Sequence, residues 1–162
     1  MRPALLFLWR GKYSAIMEMK IRYAAESDLD FLVEGRRQIR IAEKRTHIEN
    51  GRRDRWELKG AIRKKNVRVM ETGRKPAAFL WFRPGFKVMY MDNCLWVHLV
   101  YVKEEFRRRG LGRLLYEDAE KIAKSMGLYK IVIDVFEANR DSAEFHKKIG
   151  FEPLYTIYQK NI

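Results

Sequence analysis

Val100-Tyr101-Val102-Lys103-Glu104-Glu105-Phe106-Arg107-Arg108-Arg109-Gly110-Leu111-Gly112 is the stretch on which the fold turns. It reads as a strand, a short acidic turn, and then arginines and two glycines opening a helix. At a helix start the first backbone N–H groups lack intrahelical partners and point outward beside the positive end of the dipole. Glycines there let the main chain approach a bulky anion, and neighbouring arginines add charge, which makes a cradle for a pyrophosphate. It is not a Walker loop, because no Lys-Ser/Thr follows the second glycine, and it lacks the third glycine of the dinucleotide fingerprint. Taken alone, the stretch reads equally as a glycine-bearing helix start with solvated arginines.

Downstream, Leu111, Leu114, Leu115, Ala119, Ile122 and Met126 share one helical face, and Gly127 suits a C-terminal cap. Ile131 to Val135 is a β-branched run fit for a strand buried on both faces. A short helix over 141–149, stopped by Gly150, and a last strand over 154–158 complete this half. Upstream, Leu95 to Val102 forms a long strand, preceded by an Asp92-Asn93 turn. A hairpin pairs 66–71 with 77–82 through Thr72-Gly73-Arg74-Lys75, and Pro84-Gly85 ends its second strand. Ser27 caps a first helix, a second runs over about 55–65 after Gly51, and Lys20 to Ala24 is the first strand. The order β-α-α-β-β-β-α-β-α-β predicts a mixed α/β (α+β) sheet covered by helices.

The chain has 162 residues and a formal charge of +13, with 34 Lys and Arg against 21 Asp and Glu. Hydrophobic residues make up 47%, enough for a packed core, so disorder throughout is excluded. One cysteine, Cys94, excludes an intrachain disulfide framework and a multi-cysteine metal site. His47 and His98 share no metal-ligand spacing; His98 on an apolar strand reads as core, as does Cys94, and no metal is expected. No apolar run approaches the roughly 20 residues that cross a bilayer. These features predict a soluble, cytoplasmic protein with an anionic ligand and no membrane partner. Residues 1–18 read as an N-terminal extension or mis-assigned start, and 19–162 as a single domain.

Arg107-x-x-Gly110-x-Gly112 resembles the pyrophosphate-binding signature of the GNAT superfamily of N-acetyltransferases. The resemblance continues in Asn139 after the next strand. It extends to Ser142-Ala143-Glu144-Phe145-His146-Lys147-Lys148-Ile149-Gly150-Phe151, similar to that family's closing helix. It is strong over 95–155, weaker over 19–94 and absent over 1–18. It implies a sheet of about six to seven strands, splayed between two parallel central strands and flanked by about four helices. It also implies acetyl-CoA as co-substrate. The backbone edge of Val100, Tyr101 and Val102 would take the pantetheine arm as an added strand. Arg107, Arg108, Arg109, Gly110, Leu111, Gly112 and Arg113 would surround the pyrophosphate, and Asn139 would bond the pantetheine arm. The chemistry implied is direct acetyl transfer to an amine in a ternary complex.

Two catalytic positions follow from the same resemblance. Asp134 stands where related N-terminal acetyltransferases carry a glutamate base; one methylene shorter, it would act through a water, or else it is a strand residue with a structural hydrogen bond. His146 stands where most members have a tyrosine that protonates the thiolate. Either His146 donates that proton, or Tyr101 or Tyr155 supplies the hydroxyl, or His146 merely helps bind CoA. An α-amine, with a pKa of about 7.7, is easier to deprotonate than a lysine amine at about 10.4, which favours a protein N-terminus or another low-pKa amine.

Between Arg36 and Arg68 lie 13 Lys and Arg against four acids. A solvated helix surface is the favoured reading, and contact with an acidic acceptor or with RNA the less favoured one. Exposed aromatics near the last strand are compatible with a homodimer. The competing class is a CoA-binding or RNA-associated module with little turnover.

Overall fold

A computed structural model describes residues 7–9, 17–45, 51–87, 92–158 and 160. Six strands form one sheet in sequential order: β1 (Phe7–Trp9), β2 (Met17–Tyr23), β3 (Val67–Thr72), β4 (Lys75–Lys87), β5 (Asp92–Val102) and β6 (Ile131–Ile133). Every neighbouring pair is antiparallel except β5 and β6, which run parallel through a crossover that contains α3 (Leu111–Ser125). The helices α1 (Leu29–Ala42), α2 (Gly51–Arg63) and α4 (Arg140–Lys148) complete the fold. This is the mixed, helix-flanked α/β sheet that the sequence predicts. Among the described residues no helix is long and apolar enough to cross a membrane.

Each face of the sheet has its own core. One is built from Met70, Leu80, Phe82, Leu95 and Val97 with Leu111, Leu115, Tyr116 and Ala119 of α3. The other joins Val67, Val69, Phe79, Trp81, Leu99 and Tyr101 to Leu29 and Leu32 of α1 and Leu58 and Ile62 of α2. Layers on both faces explain the continuous apolar run of β4 over 77–82 and that of β5 over 94–102, which only His98 interrupts. The α1–α2 contact is tied by a buried ion pair: Arg40 reaches Asp54 in a bidentate fork at 2.6 and 2.7 Å, with both side chains 4% exposed. Arg36 adds bonds to Asp54 and Glu57. Part of the basic stretch is therefore an internal brace, and the register it fixes matters more than its net stabilisation, since desolvation offsets the attraction.

Several expected boundaries move, each for a local reason. The cap of α1 is Asp28, not Ser27; its carboxylate accepts from Ala25 N at 2.7 Å and from Arg22. Helix α2 starts at Gly51, where a break is expected, because Asp54 in its first turn meets the buried Arg40. Strand β4 runs on through Pro84, because β3 has ended at the Val67–Trp81 pair and leaves that edge of β4 free. The Asp92-Asn93 turn is instead the start of β5. Residues 154–158 form no strand: Leu154, Ile157 and Tyr158 stand 61%, 71% and 90% exposed. The run Leu154 to Tyr158 predicts a strand, yet a strand exists only where a neighbouring edge supplies its hydrogen bonds. The expected boundary at residue 18 falls inside β2, and Phe7–Trp9 pairs with Met17–Met19. His47 lies outside the described residues.

Candidate active site

Strands β5 and β6 pair at only three positions, Leu95 with Ile131, Trp96 with Val132 and Val97 with Ile133. Beyond Val97, β5 continues to Val102 against β4 alone, so the β6-facing edge of residues 98–102 has no strand partner among the described residues. A bulge accompanies the parting. Phe82 pairs with Val97 and Trp81 with Leu99, leaving His98 as the extra residue. The consequence is a change of face: Leu95 and Val97 belong to the α3-side core, whereas Leu99 and Tyr101 belong to the α1–α2 side. An inserted residue bends and twists its strand, and here it does so where β6 leaves. Val100, Tyr101 and Val102 thus lie along an opened edge. The side chain of Tyr101 is 8% exposed, packs against Phe79 and Phe31, and burial pushes its hydroxyl pKa up.

The far end of that edge leads into the mouth of α3. Gly110 is its N-cap at φ 82°, and Arg108 is left-handed too at φ 59°. A Cβ at Gly110 would meet nothing within 4 Å, so backbone conformation, not space, favours glycine here. No side chain caps the helix. Among the described residues, no main-chain carbonyl accepts from the amides of Arg108 through Arg113. Gly112 has a different reason: a Cβ there would come within 2.8 Å of the Phe145 ring on α4. Arg107 donates to the Val102 carbonyl at 3.1 Å, while Arg108, Arg109 and Arg113 are exposed, with Arg109 over the Phe106 ring. Leu111 is core.

At the crotch of the fork stands Asp134, one residue past β6 and exposed. Trp96 Nε1 donates to its Oδ2 at 3.0 Å and the Tyr155 hydroxyl to its Oδ1 at 2.9 Å. The indole of Trp96 also lies against the His98 ring, which stacks on Trp81. Sequence reasoning did not single out Trp96; its role depends on the β5–β6 register, which no local pattern reveals. Asn139 caps α4, its Oδ1 accepting from Ser142 N at 3.3 Å, which leaves its amide nitrogen as a donor. Beside it, Ala42, Lys44, Glu137, Ala138, Asn139, Arg140 and Asp141 line an open cavity of about 700 Å³.

His146 lies elsewhere. It is 3% exposed, ringed by Tyr116, Phe145 and Phe151. Its Nδ1 sits 2.6 Å from the Ser142 carbonyl and its Nε2 2.7 Å from the Tyr116 hydroxyl. A carbonyl only accepts, so Nδ1 carries the proton, and neutral Nε2 accepts from Tyr116. Burial lowers the His146 pKa and raises that of Tyr116. The only N–H of the neutral ring is therefore held by the Ser142 carbonyl, inside the core.

Comparisons with known proteins agree with this geometry. The model of the Acetyltransferase (GNAT) family matches residues 36–151. An uncharacterized N-acetyltransferase of Methanocaldococcus jannaschii is 25% identical over 153 residues, covering 86% of this chain and 63% of that protein. The chain thus spans just under two thirds of the length of this curated relative. Among solved structures, an aminoglycoside N-acetyltransferase in complex with CoA superposes with a TM-score of 0.76 at 15% identity, covering 93% of this chain and 98% of the other. A possible acetyltransferase from Clostridium difficile 630 gives 0.69 at 19% identity, covering 89% and 97%. At such identities the structural likeness speaks for the fold.

Proposed function

We propose that this chain, which belongs to the GNAT acetyltransferase family, transfers the acetyl group of acetyl-CoA directly to a primary amine within a ternary complex. The observation that carries the proposal is the fork of β5 and β6 leading into the uncapped mouth of α3. Acetyl-CoA would bring an acyl group already activated as a thioester. The chain's part is to grip and aim it. Amides of Arg108 to Arg113 suit the diphosphate, and Arg107, Arg108 and Arg109 add charge around it. The open edge of Val100 to Val102 suits the pantetheine amides, and the Asn139 side-chain nitrogen would donate to the same arm.

Asp134 would accept the proton that the amine loses, through a bridging water, while Trp96 and Tyr155 hold its carboxylate. With His146 and Tyr101 buried, Tyr155 is the phenol that contacts Asp134, and a thiol of pKa about 8.5 leaves tolerably without strong acid help. The acceptor best supported is a peptide α-amine. Its deprotonation costs about 3.7 kcal/mol less than that of a lysine side chain, from pKa values of about 7.7 and 10.4. Aminoglycosides, which the CoA-bound structural neighbour is named for, carry several positive charges. The cavity beside Asn139 mixes Lys44 and Arg140 with Glu137 and Asp141, which gives a polycation little advantage. The exposed segment 154–158 is compatible with a homodimer.

A thiol-release screen across unblocked peptides, lysine peptides and polyamines tests the proposal, with peptide α-amines expected fastest. If CoA binds in calorimetry but no amine stimulates thiol release, the second reading holds: a CoA-binding module with little turnover. The burial of His146, with both ring nitrogens engaged, is the observation that favours that alternative.

A further inference from the structure

The solvent face of α2 carries a stripe that the acetyl-transfer reading leaves unused. Arg52, Trp56, Lys59 and Arg63 follow one another at spacings of four, three and four, so they align along one side of the helix. All four are exposed, Trp56 to 74%. Arg53 flanks the stripe with its side chain 67% exposed, and Lys64 and Lys65 extend it past the helix end. No carboxylate belongs to the stripe. Three nearby acids among the described residues are held by arginines outside the stripe: Glu57 by Arg36 and Arg53, Asp54 by Arg40, and Asp30 by Arg55.

Gly60 is the second observation. It sits four residues after Trp56 in mid-helix, and a Cβ built on it would meet nothing within 4 Å. Helical side chains lean toward the N-terminus, so a side chain at 60 would lie back over the indole. Glycine in a helix interior and a large exposed indole are each unfavourable for stability and solubility. Together they leave a flat aromatic surface open and bordered by cations.

We propose that this face of α2 docks a single-stranded polynucleotide, one base stacking on Trp56 while Arg52, Lys59 and Arg63 meet the flanking phosphates. An aromatic platform within a cationic track is the chemistry that holds unpaired strands, because every base has a π-face and every link a charge. A protein partner fits less well: the helical neighbours of Trp56 are Arg52, Arg53, Lys59 and Gly60, which provide no apolar interface centre. A membrane surface fits less well too, since the apolar face of α2, with Leu58, Ala61 and Ile62, is buried in the core.

Fluorescence anisotropy of the full chain with labelled U12 RNA and T12 DNA tests the inference. Both probes should bind, with log K falling as log salt rises by about 0.7 per phosphate neutralised. Trp56→Ala should weaken binding about tenfold, as loss of one stacked base does. Arg52→Glu with Arg63→Glu should weaken it further and flatten the salt dependence. Gly60→Leu is the discriminating variant: it improves helix propensity, so the melting temperature should hold or rise, yet affinity should drop as the indole is covered. Lys121→Glu, an exposed charge change on α3, should have little effect. The inference is overturned if neither probe binds at low salt, if Trp56→Ala and Gly60→Leu bind as wild type, or if poly-glutamate or phosphatidylserine vesicles bind more tightly than U12. CoA affinity should not change in the α2 variants, so this outcome is read independently of the acetyl-transfer proposal.

Discussion

Two helices follow the strands of the fork, and they start in opposite ways. Helix α3 opens on a left-handed Gly110 with no side-chain cap, its leading amides carrying no main-chain acceptor among the described residues. Helix α4 opens on Asn139, whose side-chain oxygen Oδ1 takes the Ser142 amide. A helix start left unsatisfied is costly unless water or a ligand completes it. The open start is the one we propose as the binding device, while the side chain of Asn139 closes the other. The two also touch: Phe145 of α4 fills the space that a side chain on Gly112 would need. One glycine of the motif serves the backbone conformation and the other serves helix packing.

The contrast breaks most sharply at Gly110. Gly110→Glu places a non-glycine residue at positive φ and a carboxylate in the anion's position, so CoA affinity should fall on the order of 100-fold in calorimetry. Unchanged affinity would mean that the open start is not the binding device. Next, Asp134→Asn should lower turnover roughly 10- to 100-fold, as loss of a charged acceptor does, with CoA affinity intact. Trp96→Phe and Tyr155→Phe should each lower it less. In the Asp134→Asn background both should add almost nothing, because they act through that carboxylate. Full additivity would give the two donors separate roles.

Gly112→Val should destabilise the fold by about 1–3 kcal/mol through overpacking, and Phe145→Leu should recover part of that loss in thermal melts. Asn139→Ala should cost about 1 kcal/mol, the worth of a helix cap, with a smaller loss of CoA affinity than Gly110→Glu. The smallest effect concerns His146. Its folded pKa lies below its ordinary 6.5 because it is buried, so below about pH 6.5 the unfolded chain binds the extra proton first. The stability it contributes is complete above that pH and declines as pH falls below it. Melting temperature should drop from pH 7.5 to pH 5.5 in the wild type and drop less in His146→Phe.

What the sequence makes legible follows the range of the interactions. The β5–α3 junction is local: strand, turn, glycine and helix face are contiguous in the chain, and they stand where the motif predicts. The bulge at His98 is not legible, because it is a mismatch between β4 and β5 counted across the sheet. The partnership of Trp96 with Asp134 follows from the same long-range register. The surroundings of His146 are hidden for a related reason. Its position in the motif suggests the cleft, but its side chain is held by Tyr116, thirty residues away on α3. The basic stretch is misread in part because Arg36 and Arg40 find their acids on a different helix.

Amide chemical-shift mapping with two ligands tests the central claim most directly. Adding CoA should move the amides of Gly110 to Arg113 together with those of residues 98–102, whereas pantetheine, which has no diphosphate, should move only the second group. If the Gly110–Arg113 amides stay still when CoA saturates the protein, the mouth of α3 does not hold the diphosphate and the account is contradicted.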